Sequence, residues 1–397
     1  MKTAKIVLLT ILCGLIAFLC TLLVWGARSE GDAHAKFGQS YELAGEWEMP
    51  AAEISGLYID YSINSNDVYL YEGTGDNIII REYVNFKQKE EWFSTVTQEG
   101  SSLIIKGKRR RSGFFWQGGF NSDAYIEIYL PSGLLTEIDI AVTSGEIRAE
   151  QDFKGCESFK VESSSGDIQV QRVTAEKIVA GTSSGYITFD YAQGEVTATA
   201  SSGDIIFYQI LGDAVISTSS GDITVKQIEG NAAVSASSGD VVLCQAQGDV
   251  TVSTSSGDIQ VLGGSGLRNL SASSGSIKLA DMEGRFNLHT TSGEIYVENG
   301  SGYGEAKASS GDVSIRLMQL NGSLDINTTS GEVAVYIPSE VSFSFVFDSN
   351  SGECVTFFDD CLSFNRRGTS AKGDYGSSPD KTIGISTSSG DVYIGEQ

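Results

Sequence analysis

The chain has 397 residues, with 27 Lys+Arg against 51 Asp+Glu and a net charge of −24. Such an acid excess argues against a nucleic-acid binder, since phosphate contacts need a basic face, and against adsorption to anionic lipid by charge alone. With 41% hydrophobic and 20% charged residues, the chain is no disordered acidic tail. Its two histidines, His34 and His289, lie far apart, which argues against a His-rich zinc site or a Ser-His-Asp centre.

Residues 1–5 read as a short cytoplasmic tail carrying Lys2 and Lys5. Ile6–Ala27 follows without a charge, and 22 residues at about 1.5 Å each span about 33 Å, enough for a bilayer core. The run ends without the small-residue pattern of a signal cleavage site. Cys13 and Cys20 each follow Leu, which argues against lipoprotein processing. The expectation is an uncleaved single-pass anchor. The lysines before it place the amino terminus in the cytoplasm and the body outside. Residues 28–50 read as a linker.

Residues 51–140 hold alternating strand candidates at Leu57–Ile63, Asp67–Tyr71, Asn77–Val84, Ser102–Lys106 and Ala124–Leu130. No short period links them, so an irregular β region is expected.

Residues 141–337 are governed by a repeat. A Ser-Ser-Gly-Asp tetrad or near copy places Gly185, Gly203, Gly221, Gly239, Gly257, Gly275, Gly293 and Gly311 at intervals of 18. A second glycine bisects each interval, from Gly194 to Gly302. After each tetrad the second and fourth residues are apolar, as at Ile223 and Val225 or Ile259 and Val261. That alternation marks a strand with one buried face. Two strands of about six residues per coil, stacked about 4.8 Å apart in parallel register, predict an all-β parallel β-solenoid built of two nine-residue half-coils. Three residues before the tetrad glycine, Thr and Ala alternate (Thr182, Ala200, Thr218, Ala236), which fits a cramped interior corner. The serines are expected to bond backbone groups and the next coil's serines, and the tetrad glycine to supply positive φ.

Residues 338–397 lose the period and close with Ser388-Ser389-Gly390-Asp391, which reads as a carboxy-terminal β cap with an irregular loop over Arg366–Pro379. Cys354 and Cys361 are placed to pair across a hairpin or to stay reduced. Cys156 and Cys244 are isolated, and no C-x-x-C occurs.

Ser-Ser-Gly-Asp-Ile repeats behind an anchor, a β lead-in and a closing Ser-Gly-Asp-Val-Tyr-Ile resemble the putative-adhesin family of β-strand-repeat proteins of Gram-positive bacteria. The resemblance covers roughly residues 50–397. It implies a domain of unknown function in an extracytoplasmic envelope protein, sometimes linked with antibiotic-stress operons. It brings no catalytic residues.

Three features are candidates for chemistry. Asp204, Asp222, Asp240 and Asp258 follow successive tetrad glycines, and stacked carboxylates would repel by about 1 kcal/mol per pair in water. Calcium would relieve that, but the row is broken by Tyr186, Ser276 and Glu294, so turn capping by solvated carboxylates is the favoured reading. Lys108–Arg111 beside Phe114, Phe115 and Trp116 suits lipid or anionic polymer, or an exposed hairpin loop that protects a β edge. Thr188, Thr224 and Tyr296 are outward residues that suit sugars or plain strand packing. A carbohydrate-active β-helix enzyme would need long loops and paired carboxylates, and nine-residue half-coils leave no room for them. The expectation is a non-catalytic, membrane-anchored surface protein with no cofactor, an adhesin or envelope-stress protein whose partner is an envelope polymer, a surface or a protein. A calcium-stabilised β-roll is the second reading, and the enzyme the third.

Overall fold

The computed structural model describes residues 41–63, 65–85, 92–108 and 123–397. The anchor Ile6–Ala27 lies outside the described residues, as does Arg109–Trp116 of the basic and aromatic segment. Among the described residues no helix is long and apolar enough to cross a membrane. Leu43–Gln397 forms one compact unit.

That unit is a parallel β-solenoid. Ile187–Ala200 pairs in parallel with Ile205–Phe207, Ile210–Leu211 and Ala214–Thr218, each residue meeting the one 18 positions on. The same register repeats coil upon coil, as in Ala232–Ala236 against Val250–Thr254. Apolar residues of the period-two positions turn inward: Ile205, Phe207, Ile210, Ile223, Val225 and Ile228 are all fully buried. Each stacks on its own equivalent, so one continuous core runs along the unit.

Three details differ from the sequence expectation. In two coils the half-coil after the tetrad breaks, into Ile205–Phe207 and Ile210–Leu211 and into Ile223–Val225 and Ile228–Glu229, whereas the next two coils keep it as the single strands Val241–Gln247 and Ile259–Ser265.

The second difference concerns glycine. Positive φ belongs to the bisecting glycines, such as Gly230 at 149°, and not to the tetrad glycines. A tetrad glycine is required by close approach instead. A Cβ built on Gly239 would fall inside the van der Waals surface of the Gly221 carbonyl oxygen, directly beneath it. The same contact recurs from Gly145 to Gly166, Gly185, Gly203, Gly221, Gly239, Gly257, Gly275, Gly293, Gly311 and Gly331, eleven glycine turns stacked in chain order.

The third difference is in the serines. Their backbone, rather than a hydroxyl ladder, joins the coils: Ser202 N–H donates to Ser183 O at 2.8 Å, Ser220 to Ser201 O at 2.9 Å and Ser238 to Ser219 O at 2.9 Å.

The threonines of the Thr/Ala alternation also use their hydroxyls. Thr218 Oγ1 accepts from Gly221 N–H at 3.2 Å and donates to Gly203 O in the coil below at 3.3 Å. Thr254 does the same with Gly257 and Gly239. Each buried threonine thus pins two glycine turns together, and the alanines above and below leave it room.

Residues 51–140 carry no short period, yet strands within them join the same stack. Gly56–Tyr61 lies between Ser102–Lys106 and Glu137–Val142, parallel to both. Asn66–Glu72 lies between Ala124–Leu130 and Ile147–Ser163. The outermost layer is therefore made of Ser102–Lys106 and Ala124–Leu130, and the earlier strands Gly56–Tyr61 and Asn66–Glu72 are clamped beneath it. The other end repeats this arrangement. Thr382–Thr387 is parallel to both residues 324–328 and Phe343–Ser349, so the last segment of the chain is sandwiched and 343–356 lies outermost. Antiparallel strands then close each end, Asn77–Val84 on Ala124–Leu130 and Ser370–Tyr375 on Phe343–Ser349. Tyrosines secure the first of these closures: Tyr83 stacks on Tyr125 with centroids 4.7 Å apart, and Arg81 lies over Tyr129 at 5.5 Å.

A basic residue is buried in the core of the repeats. Arg268 replaces the apolar residue of its row, between Val250 and Phe286, and is fully buried. Its guanidinium donates to the carbonyls of Gly248 (2.7 Å), Ala246 (2.7 Å), Ser265 (3.0 Å) and Leu267 (3.3 Å). Burial depresses its pKa, while the nearby Asp249 pulls the other way.

Close approach rather than backbone conformation should decide which glycines are essential. Gly239→Ala should cost at least about 3 kcal/mol, because backbone must move. Gly100→Ala, at φ 63° but with open space, should cost about 1 kcal/mol. Urea titrations of both variants check the order; a smaller loss at Gly239 contradicts it.

Candidate functional site

The aspartates after the tetrad glycines come together as one row along the stacked turns. Each carboxylate accepts the backbone N–H of its equivalent in the next coil. Asp222 N–H donates to Asp204 Oδ1 at 2.9 Å, Asp240 N–H to Asp222 Oδ1 at 2.8 Å, and Asp258 N–H to Asp240 Oδ1 at 2.8 Å. The interruptions keep the pattern: Tyr186 N–H donates to Asp167 Oδ1, and Glu294 N–H to Ser276 Oγ. The opposite turns hold a second such row, in which Asn231 N–H donates to Asp213 Oδ1 at 2.7 Å and Asp249 N–H to Asn231 Oδ1 at 3.1 Å. An amide serves there as well as a carboxylate, so the role is acceptance of a backbone proton and not charge. Among the described residues no group of three His, Cys, Asp or Glu is arranged to hold a metal ion.

Thr188, Thr224 and Tyr296 share one outward row on the half-coil after the tetrad. Ile206 separates the two threonines, and Val242, Gln260 and Lys278 lie between Thr224 and Tyr296. They form no joint site. The Tyr296 hydroxyl donates to Glu294. Ser102–Lys106 and Ala124–Leu130, which flank the basic and aromatic segment, do not pair with each other as a hairpin would. They occupy two sides of the outermost coil.

A depression of about 240 Å³ is lined by His289, Lys307, Asn327, Thr329 and Ser386 among others. It is a shallow feature of an exposed strand face, and Lys307 is already paired with Glu305. Cys156, Cys244, Cys354 and Cys361 are free thiols. Burial pushes Cys156 up to about 11 and Cys354 up to about 12, so both stay protonated and make poor nucleophiles.

The fold and these turns define the class: a parallel β-solenoid whose conspicuous polar residues bind its own backbone. The Toastrack DUF4097 family model matches residues 54–263 and again 234–395. The chain belongs to that family, which bears out the family resemblance read from the repeats. A crystal structure of a "putative cell adhesion protein" from Clostridium sporogenes is similar at 10% identity, covering 90% of this chain and 100% of that one, with a TM-score of 0.18. A score that low carries no argument. No curated protein matches the chain.

If the aspartate row is stacking chemistry, Asp222→Ala should lower stability by about 1 kcal/mol and Asp222→Asn by less, since an amide oxygen still accepts the Asp240 N–H. Millimolar calcium should leave the melting temperature of the parent unchanged. A bound ion at a thousand times its Kd would add about 4 kcal/mol, which a calorimetric melt would show plainly.

Proposed function

We propose that the protein is a non-catalytic surface protein, held in the membrane by Ile6–Ala27 with its body outside the cytoplasm, that presents a rigid β face for adhesion or envelope interaction. The carrying observation is how the turns use their polar groups. In the solenoid's two turn rows the carboxylates accept backbone protons of the next coil and stiffen the stack instead of converging on a cleft. Membership of the Toastrack DUF4097 family supports a structural reading.

Charge supports an outward orientation. Residues 141–397 carry 15 Lys+Arg and 33 Asp+Glu, 15 − 33 = −18, so the body is repelled by anionic membrane and wall polymer. The partner on this reading is an envelope polymer, a surface or a protein that meets the outward strand rows.

Two measurements check it. Protease added to intact protoplasts should remove residues 28–397, and protection of the body contradicts the topology. Cells carrying a chain cut after Arg28 should attach to surfaces and survive envelope stress no better than cells lacking the gene. Full restoration by the anchor alone contradicts a role for the solenoid.

A further inference from the structure

On the half-coil after the tetrad, one outward row changes character toward the carboxy-terminal end. Beyond Lys278 it reads Tyr296, Ser314, Ala334, Tyr393 and Val355, five layers in register without a charge. Tyr393 is 48% exposed and Val355 is 52% exposed. The next outward row, on the side away from the tetrad, holds Arg316, Tyr336 and Gly395 in the same register. A side chain at Gly395 would collide with both tyrosines: a Cβ there would lie 2.8 Å from the Tyr393 ring and 2.9 Å from the Tyr336 ring. The two rings therefore lean over bare backbone instead of standing away from the sheet. Their centroids are 5.8 Å apart, and the Arg316 guanidinium stacks 4.8 Å from the Tyr336 centroid.

Both edges of this shelf are polar, and they differ. On the tetrad side run Asp312, Glu332 and Asp391, all exposed. Asp312 Oδ1 accepts the Glu332 N–H at 2.8 Å and Asp391 Oδ1 the Glu353 N–H at 3.0 Å, so each keeps a second carboxylate oxygen as an acceptor. On the other side Arg316 keeps its donors. Glu298, on the coil before, is held by Lys278 at 3.0 Å, and among the described residues no carboxylate pairs with Arg316. Between these edges Ser314 and Ala334 make a low floor. Tyr296 and Tyr393 stand at its two ends, three layers or about 14 Å apart.

We propose that this shelf binds a neutral polysaccharide. A pyranose ring has an apolar face of C–H bonds that packs on an aromatic ring, and a rim of hydroxyls that donate and accept. Sugar rings pack on Tyr393 and Tyr296, Arg316 donates to hydroxyls on one edge, and the Asp312 and Asp391 carboxylates accept from hydroxyls on the other. The two tyrosines lie on one row along the stack, so the ligand is a chain parallel to it and not a single sugar. An anionic polymer does not fit, because the turn carboxylates flank the floor and the body is negative as a whole. An apolar protein surface does not fit either, because it would bury Arg316 and those carboxylates without partners. The inference deepens the adhesion reading by naming a class of partner, and it rests on that reading only for placing the glycan outside the cytoplasm.

The test is depletion of the full chain, in mild detergent, by insoluble glycans: chitin, cellulose, and bacterial wall glycan stripped of its anionic polymer. At least one of these should bind in the micromolar range, and which one does identifies the source. Binding should change little over a salt series, since no ion pair forms, and carboxylated or sulfated polysaccharide should not compete. Tyr393→Ala should weaken binding at least about tenfold, and Arg316→Ala several-fold. Thr224→Ala, on the same outward row but far from the shelf, should leave it unchanged. Unchanged circular dichroism in each variant keeps folding out of the comparison. Binding to none of the neutral glycans, tighter binding of an anionic polysaccharide, or depletion unaffected by Tyr393→Ala would each overturn the proposal. So would self-association that depends on Tyr393 in place of glycan binding, which would assign the shelf to a second copy. Glycan binding lost with Tyr393→Ala, in a protein whose body proves to lie inside the cytoplasm, would instead count against the surface reading alone.

Discussion

The structure depends on how closely one turn sits on the next. At each tetrad the backbone of one coil lies against the carbonyl of the glycine below, with no room for a side-chain carbon. That contact sets the layer spacing for the strands on both sides of the turn. The strands can then pair in unbroken register, and each inward Ile, Val or Phe can rest on its equivalent. The threonine hydroxyls and the serine backbone bonds secure the same corner. A side chain at one glycine would displace a layer, and every layer rests on its neighbours.

Stacking identical coils also stacks identical charges, and the acid-rich composition is accommodated at the turns. Rows of aspartate about 4.8 Å apart would repel if each merely faced water. Here each carboxylate takes the N–H of the residue above it, so the repulsion is offset by a charge-assisted hydrogen bond. The substitution of Asn231 into the second row shows the acceptor to be the essential part. Where an inward residue is charged, as at Arg268, the chain surrounds it with four carbonyls.

Much of this was legible in the sequence. The glycine interval and the apolar alternation gave coil length, parallel register and the buried rows, since both follow from strand geometry. The turn-capping role of Asp204, Asp222, Asp240 and Asp258 was also readable, because a row broken by Tyr186 and Ser276 makes a poor metal site. What the tetrad glycine does was not. Positive φ and close approach both select glycine, and only the stacked backbone separates them. The clamped ends were hidden for another reason: they lack the period, and which layer lies outermost is a long-range pairing that local pattern does not encode. Arg268 did leave a signal, a charge in the row of Ala214, Ala232 and Val250.

Closure at the ends follows from the same constraint. A stack of identical coils ends in open strand edges, which invite pairing with other chains. Placing Gly56–Tyr61 and Asn66–Glu72 under Ser102–Lys106 and Ala124–Leu130, and 382–396 under 343–356, ties the ends of the folded unit to layers on both sides. The most direct test of turn stacking is amide hydrogen exchange at the exposed turns. The N–H groups of Ser220, Asp222, Ser238 and Asp240 should exchange as slowly as that of the buried Ile223, because each is bonded to the coil below. Exchange at these turns as fast as in the loop around Gly368, with protection confined to the strands, would contradict the account.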